Sequence, residues 1–324
     1  MTAIERLLRD DVAGDPITGM RWTRRTTDKI ADELATIGIV VSGKTVGRLL
    51  KEMKFSLKTN RKNIISGGKK KPGYRKSRDQ QFQYLKKIRG THQKMGVPII
   101  GVDTKKKEEI GNFKNNGRTW TKKAKEVHDH DFKTNSIGKA VPYGIYDVTK
   151  NLGHVVLGQS KDTPAFATDA IEQWWRMDGC KKYPQASEIL ILADCGGSNG
   201  AKSRVWKRDL QLKLCNKHNL KITVCHLPPG ASKWNPIEHR LFSQISRNWA
   251  GVPLKSYETA INYIKTTTTK TGLKVKATRN RKIYETGQKV SSEEFASIRC
   301  RHRSVLPEWN YSIIPNSKLH SGKM

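Results

Sequence analysis

The stretch Ile189-Leu190-Ile191-Leu192-Ala193-Asp194-Cys195-Gly196-Gly197-Ser198-Asn199-Gly200 reads as one strand and the turn that ends it. Five apolar residues without alternation describe a strand covered on both faces, and the acid and glycines that follow stop it. On either side the pattern changes to helix. Thr163-Pro164 opens one through Ala167, Ala170, Ile171, Trp174 and Trp175, and another carries Val205, Leu210, Leu212 and Leu214. Next come the strand Ile222 to Cys225 and a helix from Asn235 or Pro236 with Ile237, Leu241, Ile245 and Trp249 on one face. Upstream, Val97 to Val102 is a buried-type strand ending at Asp103. Further strands are expected at Glu109 to Phe113, Tyr143 to Val148 and Val155 to Leu157. Three strands followed by alternating helix and strand predict an α/β fold, a mixed sheet flanked by helices.

Three carboxylates fall where such a sheet gathers functional groups: Asp103 and Asp194 at carboxyl ends of strands, and Glu238 at the start of a helix. Carboxyl ends of neighbouring strands share one edge, so residues far apart in sequence converge there. Hard oxygen ligands of this kind hold Mg²⁺ ions that clamp the attacking and leaving oxygens of a phosphoryl transfer. Each acid also has a plain structural reading. Asp103 can be a solvated strand end and Asp194 the start of a nucleotide-binding turn, although neither G-x-G-x-x-G nor a P-loop is present. Glu238, three residues after Asn235, fits a capping box. His128-Asp129-His130-Asp131 reads as a solvated polar loop, because its spacing is not that of helix-borne metal ligands. Five cysteines without a C-x-x-C pair exclude a disulfide framework and a zinc ribbon, and no serine sits in a nucleophile elbow.

The 324 residues carry 62 Lys and Arg against 29 Asp and Glu, a net charge of +33. That excess points to a polyanion, and its spread along the chain favours nucleic acid over a membrane surface. No apolar run is long enough to span a bilayer, and Asp10-Asp11 precede any apolar core, so neither a membrane span nor a secretory signal is expected. Residues 1–55 read as short helices with a helix-turn-helix, capped at Thr26 or Thr27 and at Ser42. Lys44, Thr45, Arg48 and Lys51 face outward towards bases and phosphates. Residues 56–95 form a basic linker, with Lys58, Arg61 and Lys62, and a connecting helix around Phe82 to Ile88. The sheet occupies 96–255, and 256–324 is a basic extension with a tract from Lys265 to Lys282.

Longer motifs carry a resemblance. Leu227-Pro228-Pro229-Gly230-Ala231-Ser232-Lys233-Trp234-Asn235-Pro236-Ile237-Glu238-His239 resembles the third-carboxylate motif of mariner-like and bacterial insertion-sequence transposases. Gly101 to Glu108, the run from Gly138 through Pro142-Tyr143-Gly144 to Asp147, Gly196 to Gly200 and Trp309-Asn310-Tyr311 look like the ISAzo-type, or Rhodopirellula-type, DDE transposases. The similarity runs from about Arg21 to Pro315, and the segment before it is shorter than is usual there. It implies an RNase H-like fold, a catalytic and metal-binding triad of Asp103, Asp194 and Glu238, and Mg²⁺ or Mn²⁺, as two ions. Double-stranded DNA is the implied partner, bound by a homodimer or larger assembly in the cytoplasm at the nucleoid. Lys105, Lys106, Lys107, Asn199, His226, Lys233 and Asn235, close to the acids in sequence, are expected to touch the DNA strand. Two alternatives are a catalytically idle DNA-binding protein and a structure-selective nuclease.

Overall fold

The computed structural model describes residues 2–9, 13–14, 21–22, 26–55 and 73–316. It forms two compact units, Met1–Ile65 and Ser66–Met324. In the first, α1 (Thr2–Arg9), the short antiparallel pair β1 (Ala13–Gly14) and β2 (Arg21–Trp22), α2 (Thr27–Thr36) and α3 (Gly43–Glu52) follow in order. Both expected caps are present: the Thr26 side chain accepts from Lys29 N, and that of Ser42 from Thr45 N. Ile4, Ile30, Ala31, Leu34 and Val46 form this unit's core. Lys44, Arg48 and Lys51 are exposed on α3 and Thr45 is half-buried; Lys58, Arg61 and Lys62 lie outside the described residues.

The second unit begins with α4 (Tyr74–Lys94), longer than the expected stretch around 82–88 because its first turns are polar. Then come β3 (Ile99–Thr104), β4 (Glu108–Ile110), β5 (Gly138–Asp147), β6 (Leu152–Gly158), α5 (Pro164–Trp174), α6 (Cys180–Lys182), β7 (Glu188–Ala193), α7 (Arg204–Asp209) and β8 (Lys221–His226). The chain closes with α8 (Ser243–Asn248), α9 (Tyr257–Lys265), β9 (Lys274–Asn280), α10 (Ser292–Ala296), β10 (Cys300–His302) and β11 (Asn310–Ile313). The nine-stranded sheet runs β10-β11-β8-β7-β3-β5-β6-β9, with β4 on β5. Pairing is antiparallel among β3, β5 and β6 and parallel from β3 through β7 to β8, the mixed sheet that was expected.

Residue 255 is not a boundary in this sheet. β9 pairs in parallel with β6 and β11 antiparallel with β8, so residues after 255 supply both flanks. The basic composition concealed this, because in β9 the lysines alternate with buried Val275 and Ala277. Leu212 also departs from expectation: two positions from the buried Leu210 and Leu214, it falls on the opposite side of the π-helical turn Leu210–Asn216 and lies at the surface.

One face of the sheet packs Ile100, Val102, Tyr143, Ile145, Ile189 and Ile191 against α5 and α7. The other is covered in two parts, by α4 over β3, β7 and β8, and by the helix after Glu238 with α9 over β5, β6 and β9. Glu188, at the start of β7, fastens α4: His92 Nε2 lies 3.1 Å from its carboxylate, Lys221 Nζ 3.0 Å and Thr223 Oγ1 2.5 Å. Burial alone would raise its pKa, but hydrogen bonds from His92, Thr223 and Lys221 outweigh this and hold it at about 2. A depressed carboxyl stabilises the fold above its unfolded pKa and loses that contribution as pH falls through the folded value. Wild type is therefore expected to melt higher than Glu188→Gln at pH 6, with the gap closing towards pH 2. A gap that is constant across this range in thermal melts would contradict the assignment.

Candidate active site

Asp103 lies near the carboxyl end of β3, and Asp194 directly follows the adjacent parallel strand β7. Side chains alternate across a strand, so Asp103 shares its face with Ile99, and Asp194 with Leu190 and Leu192. This is the face divided between α4 and the helix after Glu238, and the acids stand at that division. Glu238 opens a π-helical turn, Glu238–Phe242, that continues into α8. Ile237, Leu241, Ile245 and Trp249, spaced by four, are all buried on the sheet. The helix comes close because β5 and β6 present glycines beneath it. A Cβ on Gly144 would lie 2.5 Å from Phe242 Cε1, and one on Gly153 would lie 2.6 Å from Leu241 Cδ1.

The three carboxyl groups are near enough to act on one another: Asp194 and then Glu238 raise the Asp103 carboxyl electrostatically, and Glu238 raises that of Asp194. Burial first, then the Asp194 charge, push the Asp103 carboxyl up to about 8, against the Thr104 N–H that donates to its Oδ1 at 2.7 Å. Burial also raises Asp194, with Glu238 adding to it and Asn235 opposing it. Glu238 is raised by burial over the opposing influence of His239, Asp103 and Lys105. Among the described residues no Lys or Arg forms an ion pair with any of the three. No three His, Cys, Asp or Glu side chains there are close enough to enclose an ion as they stand. The set is nonetheless what a hard divalent cation requires: oxygen donors held together at a cost that positive charge would relieve.

Asn235 joins the three parts. It is buried, and its Nδ2 donates to Val102 O at 3.2 Å and to Asp194 Oδ1 at 3.4 Å. Its Oδ1 accepts from Ile237 N at 3.4 Å, which caps the helix. A capping box is not formed, because the Asn235 N–H already donates to Ser232 O. A fourth acid was not anticipated. Asp162, just before the Thr163 cap of α5, accepts from Thr104 Oγ1 at 3.0 Å and adds to the repulsion on Asp103.

Several expected DNA contacts lie inside the protein instead. Asn199 accepts from the Tyr143 hydroxyl at 2.7 Å, and Lys105 Nζ sits 2.7 Å from Glu108 and 4.5 Å from the centre of the Trp249 ring. His226 is fully buried, with Nδ1 2.8 Å from Asp194 O, and burial lowers its pKa to about 4, so it is neutral at physiological pH. Asn199, His226 and Asn235 are therefore enclosed in the protein, whereas Lys105, although largely buried, lines the same cleft as Lys106 and Lys107. Sequence spacing placed them near the acids, but it does not separate residues beneath a site from those in front of it. Lys106, Lys107 and Lys233 are exposed. Lys106 and Lys107 line a cleft of about 710 Å³ that begins at Thr104 and also receives Lys114 and Lys133. The His128 to Asp131 segment is a solvated loop, with His130 paired to Asp129 and stacked on Phe132. Among the described residues no helix is long and apolar enough to cross a membrane.

No curated protein matches the chain. Among solved structures it is similar to the Mos1 transposase paired-end complex with left transposon end, at 16% identity over 81% of this chain and 69% of that one, with TM-score 0.45. It is also similar to the mariner Mos1 paired end complex with Mg, at 15% identity over 81% and 68%, with TM-score 0.46. Residues 3–315 match the family model of the Rhodopirellula transposase DDE domain. With that match spanning nearly its whole length, the chain belongs to the Rhodopirellula-type DDE transposase family and is a DDE transposase.

Proposed function

We propose that this transposase cuts and joins the ends of a bacterial insertion sequence, using Asp103, Asp194 and Glu238 to hold two Mg²⁺ or Mn²⁺ ions. The observation that carries the reading is the electrostatic coupling of three partly buried carboxyl groups, at the ends of β3 and β7 and at the start of the helix after Asn235, without a paired Lys or Arg among the described residues. When bound, the divalent ions supply the positive charge that activates the attacking oxygen and stabilises the leaving one. The protein's own part is placement. Asn235 keeps Asp194 and the start of the Glu238 helix on the end of β3, and Thr104 N–H orients the Asp103 carboxyl.

DNA would enter along the cleft beside Thr104, its backbone phosphates met by Lys106, Lys107, Lys114 and Lys133, with the exposed Lys233, five residues before Glu238, as a further contact. The exposed row Lys44, Arg48 and Lys51 on α3, with Thr45, would read the terminal inverted repeats, and Lys58, Arg61 and Lys62 would add phosphate contacts. Joining two element ends calls for two copies of the chain, so a homodimer or larger assembly on DNA belongs to this reading, as does a place at the bacterial nucleoid.

The test is to incubate purified chain with DNA bearing the element's end and Mg²⁺ or Mn²⁺, beside Asp194→Asn. Wild type is expected to give nicked and then joined products, and the variant to fall by at least about 10³-fold, the order associated with losing a principal electrostatic group. Equal products from the two proteins, or none from either, would overturn the reading.

A further inference from the structure

We propose that His226 is a positioning residue for Asp194, holding its main-chain carbonyl from a buried chain of hydrogen bonds anchored by Tyr311, Trp206, Gln81 and Asn310. The inference rests on Asp194 being one of the metal-holding carboxylates.

Asp194 stands where the strand's own support ends. The last main-chain bond from β7 towards β8 and its continuation is Leu227 N to Ala193 O at 2.8 Å. Beyond Asp194 come Cys195 and the exposed pair Gly196-Gly197, with Gly197 at φ +67°, and glycine backbone imposes little direction of its own. His226, paired in register with Ala193, takes over there with Nδ1 at 2.8 Å from Asp194 O.

The direction of every proton in this chain is fixed by its ends. A carbonyl only accepts, so Nδ1 carries the hydrogen and Nε2 must receive one. It receives it from the Tyr311 hydroxyl at 3.2 Å, whose oxygen accepts in turn from Trp206 Nε1, a group that only donates, at 2.9 Å. One tautomer and one ring orientation follow. The backbone of His226 is clamped as well: its N–H donates to Trp309 O at 2.9 Å, and its carbonyl accepts from Gln81 Nε2 at 2.8 Å. Gln81 and Asn310 exchange amide hydrogen bonds of 2.9 and 2.7 Å. Trp206, Gln81, His226, Asn310 and Tyr311 are all 0% exposed. Burying five polar side chains is costly unless every group is satisfied, and packing alone would be served by apolar residues. The run Trp309-Asn310-Tyr311 thereby acquires a role: it anchors the residue that holds Asp194, together with Gln81 from α4.

Two substitutions separate positioning from packing. In His226→Asn the amide nitrogen falls near the place of Nδ1 and can keep the bond to Asp194 O. In His226→Gln it falls near the place of Nε2, and that bond is lost. Manganese binding by calorimetry, nicking rate and Tm are measured on the full chain. His226→Gln is expected to bind Mn²⁺ about 10-fold more weakly and nick about 100-fold more slowly, the range for groups that orient metal ligands. His226→Asn is expected to stay within about 3-fold of wild type on both, with a Tm loss similar to that of His226→Gln. Equal losses in the two variants would overturn the proposal. Tyr311→Phe removes a single hydroxyl and is expected to show a partial loss that adds nothing to His226→Gln in the double variant; additive losses would count against the chain. If Asp194→Asn binds Mn²⁺ as wild type does, the three-carboxylate reading fails and this one with it. If Asp194→Asn loses Mn²⁺ but neither His226 variant differs from wild type, this inference alone fails.

Discussion

Asp103→Asn is expected to melt about 5 °C higher than wild type in EDTA at pH 8 while losing at least about 10³-fold in nicking rate. The gain follows from the charge the site carries. Asp103 is raised from 3.8 to about 8 by burial and by Asp194, so between those values the folded chain keeps a proton that the unfolded chain has released. Stability then declines as pH rises through this window, by an amount on the order of a few kcal/mol. Asparagine has the same shape, keeps an oxygen for the Thr104 N–H and carries no charge to lose. The difference between the proteins should shrink towards pH 4, where both side chains are neutral. Millimolar Mg²⁺ or Mn²⁺ should reverse the order, stabilising wild type and leaving the variant nearly unchanged. Thermal melts across pH 4 to 8, with and without divalent cation, decide it. A variant that melts below wild type in EDTA at pH 8 would show that these carboxyl groups are not held together at a cost.

None of the three acids stood out alone in the sequence; their order on strand, strand and helix carried the reading, and Glu238 was the most ambiguous, for a physical reason. Asp103 and Asp194 each end an apolar run, and strand ends gather by topology, so their meeting was implied once the strands were recognised. Glu238 had the position of a capping-box glutamate, and only the structure shows Ser232 O occupying the N–H that it would have capped. What stayed hidden were the supports. His226 looked like a residue in front of the site because it lies near Glu238 in sequence, whereas β8 carries it behind Asp194. Its partners Gln81 and Tyr311 come from α4 and β11, distant in sequence, and nothing in local periodicity links them. The flanking strands were missed because lysines at alternate positions of β9 resemble a solvated tract, although Val275 and Ala277 between them mark a half-buried strand.

Gly144→Val is expected to lower Tm by several degrees and nicking by about 100-fold, even though the residue bears no chemistry. Gly144 lies opposite Asp103 in the β3–β5 register and under the helix that begins at Glu238. A single Cβ there would stand 2.5 Å from Phe242 Cε1 and 2.8 Å from Ile237 Cδ1, nearer than atoms can pack. Phe242 is 3% exposed and cannot swing into solvent without exposing its ring, so the helix itself must lift. Because Glu238 and Phe242 share one π-helical turn, that lift carries the carboxylate away from Asp103. A displacement of about 1 Å between reacting groups costs about 10²-fold in rate, whereas overpacking of a core costs about 1–3 kcal/mol in stability. Activity should therefore fall further than the loss of folded protein explains, as measured at a temperature where both proteins are folded by circular dichroism. Trimming the obstacle supplies the control: Gly144→Ala combined with Phe242→Leu should recover a large part of the nicking lost by Gly144→Ala alone. If Gly144→Ala nicks as wild type does, or if Phe242→Leu worsens it, the close approach of helix to sheet is not what sets the position of Glu238.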